Sequence, residues 1–508
     1  MTQETSAFTT ELEETGEGTQ GSFILKFKTD RHFYVYDVNL NQVIELEPLA
    51  YALVHEYGVL SQKQIVEQYQ HLYSPAEIGK AYQAIDKLHQ SDGYFSCRRP
   101  KRVRFHQDAQ SLRELYEEEL QSLTLAITEQ CNLRCDYCIF SGLYREQRQH
   151  SANRMTFETA RKAVDFLHSH SRLRERVIIQ FFGGEPLLAF PLIKKCVAYA
   201  KEIFGNKTVR FMMTTNGTLL SGAIRDFLVA HDFLISVSLD GPKELHDRHR
   251  RDYSGRGTFD WVCRNLEALR QAHPNYYRNN ISFNCTVAPP YEGRVLDRFL
   301  KSSPLCATQP VRCGKLNNNP STYFDQFAPA QLSEESIDRL YEEWLQCVTL
   351  SGSADKTELG PLLQGLRGET LEVLAMKLKP AAVLSSTEHL TALCVPGLER
   401  LFVDYRGRFM ACEKVPASDP MCLGTVDEGI DVKKVMALAE SCLGASKGCA
   451  SCVVHHFCHL CFVYGIAGSK YDAAEKRRLC EDHIATWHKR LVRAFKLYEL
   501  DPSAYYNV

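Results

Sequence analysis

The chain has 508 residues, 44% hydrophobic and 24% charged, with a net charge of −2. That length predicts roughly two to four domains with large cores, and the near-neutral balance excludes a general attraction to nucleic acid. Nineteen cysteines, with no secretory pattern beside them, argue for metal or cluster ligation in a reducing cytoplasmic setting rather than for a disulfide framework.

Residues 1–20 are acidic and Thr-rich, lack a basic-then-apolar signal, and read as a disordered tail. No apolar run reaches the ~18 residues that span a bilayer, so no membrane partner is expected. Residues 21–99 are predicted to form a small separate domain. Strands are expected at 23–27, 33–38 and 43–46, with a turn at Asn39-Leu40-Asn41. Three helical patterns follow: one from Glu47, one over 61–71 that carries Ile65, and one opened by Ser74-Pro75-Ala76-Glu77. That opening is a capping box with proline at the first helical position. Ile78, Ala81, Tyr82, Ile85 and Leu88 share a face of this helix, and Asp92-Gly93 ends it. The layout is winged-helix-like, but no helix has the basic face that DNA binding needs. Residues 100–121 read as a linker, basic over 98–106 and acidic at Glu114 and Glu117–Glu119, and such runs are usually solvated.

From residue 122 strands alternate with helices. Strands are predicted at 123–128, 177–182, 209–215, 234–239 and 281–287, with a sixth near Val311. Repeated βα units imply parallel strands. About six of them predict an α/β fold with a partial (β/α)6 TIM-type barrel over 122–330, whose chemistry sits at the carboxyl ends of the strands. Each motif of the region lies at such an end. Cys131, Cys135 and Cys138 follow the first strand at C-x-x-x-C-x-x-C spacing. Three thiolates can hold three irons of a [4Fe–4S] cube, where four ligands are usual, and leave one iron open. A three-thiolate zinc site and three buried cysteines are the alternatives. Gly183-Gly184-Glu185-Pro186 follows the second strand, where glycines let backbone approach a ligand closely. Thr214-Thr215-Asn216-Gly217 follows the third. Ser238-Leu239-Asp240-Gly241-Pro242 and His246-Asp247-Arg248-His249-Arg250 follow the fourth.

Residues 331–390 read as bridging helices with Leu340, Tyr341, Trp344, Leu345 and Val348 on one stripe. Beyond them Cys394 is followed by Gly407 and Cys412, then by Cys449-x-x-Cys452, Cys458-x-x-Cys461 and Cys480. Such spacings suit zinc ribbons as well as iron–sulfur clusters. His455, His456 and His459 lie among them and read as supporting or surface residues.

Taken together these motifs resemble the radical S-adenosylmethionine (SAM) superfamily, with Tyr137 in the aromatic place before the third cysteine. The resemblance implies that the cluster on Cys131, Cys135 and Cys138 chelates SAM at its open iron. It implies that Gly183, Gly184 and Glu185 hold the SAM amino group through backbone, and that Thr215 or Asn216 lines the pocket. Ser238 would touch the ribose or methionine part. Arg250 would pair with the SAM carboxylate, as a guanidinium fork suits, with Arg248 and Arg251 as alternatives.

Residues 391–485 resemble the SPASM cluster-binding domain, departing from its pattern by one residue between Cys458 and Cys461. That resemblance implies two auxiliary [4Fe–4S] clusters, one on Cys394, Cys412 and Cys461 and one on Cys449, Cys452, Cys458 and Cys480. An open iron, Cys422 or Cys442 would complete the first. Glu413 would be a base, and an exposed glutamate is its alternative. Residues 486–508 are read as a carboxyl-terminal helix and tail. The segment from Tyr34 to Asn39, with Leu49-Ala50-Tyr51, resembles the peptide-recognition element of radical SAM maturases, which takes up a leader by strand addition. The whole resembles a radical SAM maturase that forms a sulfur-to-carbon thioether in a ribosomally made, cysteine-containing precursor peptide. It would use three [4Fe–4S] clusters, SAM and a reducing partner such as flavodoxin or ferredoxin. Carbon–carbon crosslinking or formylglycine-type oxidation is the alternative within this chemistry. A non-catalytic zinc or cluster protein that binds peptide or DNA is the alternative outside it.

Overall fold

In the computed structural model, residues 21–144, 147–316, 321–352, 359–373, 383–390, 394–416, 418, 421–445, 448–461, 463–467 and 470–505 are described. The expected disordered tail at 1–20 lies outside them. Strands β1 (Ile24–Lys28), β2 (Phe33–Asp37) and β3 (Gln42–Glu45) form an antiparallel sheet in that order. Helices α1 (Pro48–Leu53), α2 (Gln62–Tyr69) and α3 (Pro75–Asp92) follow. Two reciprocal capping boxes, Ser61 with Gln64 and Ser74 with Glu77, start α2 and α3. Gly93 closes α3 in the left-handed conformation at φ 80°.

Strand alternation gives this sheet two buried faces. Ile24 and Val35 pack on Leu53, Ile65, Ile78 and Ile85 of the helices. Phe27, Tyr34 and Tyr36 pack instead with Phe457, Trp487, Leu491 and Phe495 from the end of the chain. The Tyr36 and Phe457 rings stand 4.8 Å apart, and Tyr34 and Phe495 stand 4.6 Å apart. The amino-terminal sheet therefore docks directly on the cysteine-rich region.

Within the stretch read as a solvated linker lie β4 (Arg102–Phe105) and α4 (Ala109–Glu118), and α4 buries Leu112 and Tyr116. Next come β5 (Ser122–Thr128), α5 (Phe157–Ser169), β6 (Arg176–Gly183), α6 (Phe190–Phe204), β7 (Thr208–Thr215), α7 (Gly222–Ala230) and β8 (Leu234–Ser238). They are followed by α8 (Lys243–His249), α9 (Phe259–Ala272), α10 (Pro274–Asn280), β9 (Ile281–Val287), α11 (Gly293–Ser302) and β10 (Val311–Lys315). Strands β5 to β10 lie side by side in sequence order, every neighbouring pair parallel. Their fully buried Leu125, Ile127, Ile179, Phe181, Val237 and Phe283 belong to one core with the helices. The fold is α/β.

Helices α12 (Pro329–Leu332), α13 (Glu335–Ser351) and α14 (Pro361–Glu372) then lead to β11 (Thr387–Leu390), which pairs in parallel with β4. Tyr341, Trp344, Leu345 and Val348 of α13 are buried, as the stripe predicts. The large sheet does not stop at residue 330. Strand β12 (Leu401–Val403) pairs in parallel with β5, and β13 (Arg408–Met410), β14 (Cys422–Thr425) and β15 (Gly429–Ile430) extend it antiparallel into a ten-stranded mixed sheet. Three-residue strands leave too short a pattern to read in sequence. Helices α15 (Val432–Gly444) and α16 (Ala473–Leu500) complete the chain. Among the described residues no helix is long and apolar enough to cross a membrane.

Candidate active site

The carboxyl end of β5 leads into the Cys131–Cys138 loop, and the end of β6 is tied to it by backbone. Gly184 N donates to Thr128 O at 3.0 Å and Glu185 N to Gln130 O at 2.8 Å. A Cβ at Gly183 or Gly184 would collide with those same carbonyls of Thr128 and Gln130. The close approach that requires these glycines is thus one between two strand ends.

Glu185 is fully buried. Its carboxylate accepts from Leu187 N at 3.1 Å, Thr215 Oγ1 at 2.8 Å and Asn216 N at 2.8 Å. Burial pushes its carboxyl up, against these hydrogen bonds. It fastens the end of β6 to the end of β7.

Asn216 continues the chain of contacts. Its Nδ2 donates to Asn132 Oδ1 at 2.8 Å and lies 4.0 Å from Cys131 Sγ. Asn132 Nδ2 donates to Thr218 Oγ1 at 2.9 Å, and that hydroxyl donates back to Asn216 Oδ1 at 2.7 Å. Asn132 and Thr218 were not singled out from sequence. A short polar residue beside the first cysteine was the available signal.

The three thiols lie within electrostatic reach of one another. Burial pushes Cys131 up to about 11, against the Leu133 amide, and Cys135 up to about 12, against the Arg250 charge. Two backbone amides, Leu133 N and Phe140 N, donate to Cys131 Sγ and Cys138 Sγ at 3.4 Å. Three thiols with amides aimed at sulfur suit an iron–sulfur cluster, since coordination displaces the thiol proton that burial otherwise retains.

The end of β8 closes the opposite side. Arg250 Nε donates to Asp240 Oδ2 at 2.7 Å, and the Tyr137 hydroxyl donates to the same oxygen. Asp240 Oδ1 accepts from Thr286 N at 2.9 Å. Burial would raise the Asp240 carboxyl, but the Arg250 charge and hydrogen bond outweigh it and hold it below its ordinary value. Expected to face a SAM carboxylate, Arg250 has its Nε engaged inside the protein, with its guanidinium 5.5 Å from the Tyr137 ring centre. Asp240 sits inside a quoted motif, yet its part as the hub of this network was missed. The alternative arginines are tied elsewhere: Arg248 to Glu292 at 2.6 Å and Arg251 to the Asp247 carbonyl at 2.8 Å. Ser238 is buried at the end of β8. Asp136 of the cysteine loop meets His249 Nδ1 at 2.9 Å.

The carboxyl-terminal cysteines fall into two neighbourhoods. Cys394 and Cys461 share a thiol hydrogen bond, with Cys412 beside both; that bond draws Cys461 below its ordinary value. Cys452 lies within electrostatic reach of Cys458, Cys449 and Cys480. Cys422 Sγ is bonded to the Gly424 carbonyl at 3.2 Å, whereas Cys442 lies near Cys461 and Cys480. Glu413 meets Arg400 Nη1 at 3.0 Å through Oε1, and its Oε2 is buried without a partner among the described residues. His456 bonds the Val38 carbonyl at 2.9 Å across to the amino-terminal sheet, and His459 N donates to His483 at 3.4 Å. Among the described residues, no three His, Cys, Asp or Glu groups are gathered as a single metal ion requires.

Residues 125–292 match the profile of the Radical SAM superfamily. A serine-type anaerobic sulfatase-maturating enzyme of Bacteroides thetaiotaomicron is 31% identical over 145 residues, 28% of this chain and 34% of that protein. A cysteine-type anaerobic sulfatase-maturating enzyme of Clostridium novyi is 25% identical over 236 residues, 45% of this chain and 61% of that protein. The chain thus matches between about a third and three fifths of these relatives' length. A solved structure of histidine-tagged anSMEcpe with bound AdoMet is 19% identical, with a TM-score of 0.51 over 76% of this chain and 98% of that one, a likeness of fold. A radical SAM domain takes a [4Fe–4S] cluster and SAM, and the thiols and strand-end polar groups described above suit both. Residues 125–292 of the chain are a radical SAM domain.

Proposed function

We propose that the protein is a radical SAM maturase that installs a sulfur-to-carbon thioether in a ribosomally made precursor peptide. The observation that carries this reading is the arrangement of the carboxyl-terminal cysteines. Cys394, Cys412 and Cys461 act on one another electrostatically, and Cys452 interacts in the same way with Cys449, Cys458 and Cys480, which supports two ligand sets. In this reading each group holds an auxiliary [4Fe–4S] cluster. The amino-terminal sheet, packed against Phe457 between these cysteines, recognises the leader.

When bound, the first cluster and SAM supply a 5′-deoxyadenosyl radical able to take a hydrogen atom from an unactivated carbon. The chain's residues orient the parts. Tyr137, Asp240 and Arg250 lock the cysteine loop to the end of β8. Glu185, Thr215 and Asn216 fix the SAM-binding strand ends, with Gly183, Gly184 and Ser238 lining them. Forming a C–S bond from a C–H and an S–H releases one hydrogen atom, one proton and one electron. Glu413 Oε2, the oxygen without a partner among the described residues, accepts the thiol proton. The carboxyl-terminal cysteines would hold the auxiliary cluster that would take up this electron, and Cys131, Cys135 and Cys138 would hold the cluster that a flavodoxin or ferredoxin would reduce. The leader adds to the outer edge of β3, which among the described residues pairs only with β2.

The relatives named above favour a second reading, oxidation of a cysteine or serine to formylglycine. Mass spectrometry of a cysteine-containing precursor peptide, after anaerobic reaction with the protein, separates them. A thioether loses two hydrogens, keeps its sulfur and resists thiol alkylation, whereas formylglycine formation from cysteine loses the sulfur. About twelve irons per chain would fit three four-iron clusters. Zinc without sulfide would remove both readings.

A further inference from the structure

Two cations are buried beside the carboxyl-terminal cysteines without a carboxylate partner in hydrogen-bond reach among the described residues. Arg148, in the segment after the Cys131–Cys138 loop, is 7% exposed. Its Nη2 donates to the backbone carbonyls of Glu413 and Val415, in the stretch just after Cys412. Its Cζ lies 4.4 Å from the Phe402 ring centre and 5.9 Å from that of Phe140. Nε and Nη1 meet no hydrogen-bond acceptor among the described residues. The Cys412 sulfur acts on this guanidinium most strongly, ahead of the carboxylates of Asp404, Glu129 and Glu413, none of which is in hydrogen-bond reach. Lys476 of α16 repeats the pattern at 2% exposure. Its Nζ donates to Tyr464 O at 3.3 Å and to Cys442 Sγ at 3.6 Å, and it faces Cys458, Cys461 and Cys480.

Burying a charge without a compensating partner is strongly unfavourable, and an arginine does not escape by losing its proton. Neutral thiols do not balance such charges, but iron-bearing thiolates do. One-electron reduction of a cluster adds a negative charge at a site of low dielectric. A fixed cation beside it stabilises the reduced form more than the oxidised one.

We propose that Arg148 and Lys476 are the built-in counter-charges of the carboxyl-terminal clusters and raise their reduction potentials. Arg148 acts on the group Cys394, Cys412 and Cys461, and Lys476 acts between the two groups. Both are positioning residues for electron uptake. The inference rests on the iron–sulfur reading proposed above.

The test is stepwise reduction of the full-length protein with dithionite, after anaerobic loading with iron and sulfide, followed by electron paramagnetic resonance. Arg148→Gln is expected to disfavour reduction of an auxiliary cluster about tenfold, a shift of about 59 mV to more negative potential for one electron. Arg148→Lys keeps the charge and restores most of the shift. Lys476→Gln moves a potential in the same direction, so the test does not depend on one variant folding. Full iron content with unmoved potentials in both Gln variants overturns the inference and leaves the cluster reading standing. Equal iron loss in Arg148→Gln and Arg148→Lys marks a packing role and overturns it too. No iron on the carboxyl-terminal cysteines of the wild-type protein overturns the cluster reading and the inference together.

Discussion

Arg250 Nε reaches Asp240 Oδ2 at 2.7 Å, and both side chains are buried. The Tyr137 hydroxyl shares that oxygen, so one carboxylate joins the cysteine loop to the end of β8. Removing one member of a buried pair typically costs about 3–5 kcal/mol, because the other charge is left uncompensated. Asp240→Ala should lower the chemical-denaturation midpoint accordingly and weaken SAM binding, with Arg250→Lys a poor substitute. Wild-type stability and SAM affinity in Asp240→Ala would show that the carboxylate is dispensable.

Glu185 receives three donors at the ends of β6 and β7. A glutamine there turns an amide NH2 toward at least one N–H or O–H. Leaving a buried donor unsatisfied costs about 1–3 kcal/mol. Glu185→Gln should therefore lower both stability and SAM affinity, read by denaturation and by calorimetry. A change in affinity alone would indicate direct SAM contact instead.

His246 is buried, and burial pushes its imidazole down to about 4, helped by the Arg250 charge and opposed by Asp240. Its Nδ1 accepts from Asp240 N at 3.4 Å and its Nε2 meets Thr258 Oγ1 at 3.1 Å, so the neutral ring holds the native geometry. Below its ordinary value of 6.5 the unfolded chain takes up a proton that the folded chain refuses. This contribution is complete above pH ~6.5 and is lost as pH falls toward about 4, on the order of 3 kcal/mol in all. His246→Gln should flatten the fall in denaturation midpoint between pH 7 and pH 5. An unchanged slope would assign the acid sensitivity to other groups.

Leu46 N donates to Phe33 O at 2.9 Å. Alternation along an antiparallel strand then turns the Glu45 N–H toward the open edge of β3. Glu45→Pro removes that donor and, besides it, an exposed contact to His32, which is worth little. It should weaken binding of a labelled leader peptide by about tenfold, as loss of one backbone hydrogen bond allows. Glu45→Ala should leave it nearly unchanged. Equal affinities in the two variants would rule out strand addition at this edge. Deleting residues 1–99 is a coarser probe, because it also strips cover from Trp487, Leu491 and Phe495.

Replacing Cys131, Cys135 and Cys138 with alanine should abolish formation of 5′-deoxyadenosine and remove about four irons per chain. Continued SAM cleavage in this triple variant would sink the assignment of the initiating cluster.

The parallel strands were legible because most are short, largely apolar runs, such as Val177–Phe181 in β6 and Leu234–Val237 in β8, set between helical stripes. The motifs were legible because each lies within one strand end. The partner of Arg250 inside the protein, Asp240, was not legible from sequence alone. Three arginines crowd residues 248–251, and their partners Glu292, Asp240 and the Asp247 carbonyl are distributed by folding. Arg102 to Phe105 reads as a charged linker until β11, almost three hundred residues later, supplies its partner strand.

By itself the sequence determined the cysteine spacings, the order of strands and the glycines at the strand ends, since these are properties of local chain. The tertiary structure alone decided that Asn132, Asp240 and Arg148 join the site and that the amino-terminal sheet rests on Phe457 and Trp487. It also carried the sheet past β5 into β12. Those outcomes depend on burial and on partners distant in sequence, and no local pattern encodes which distant group will compensate a buried charge or cover an apolar face.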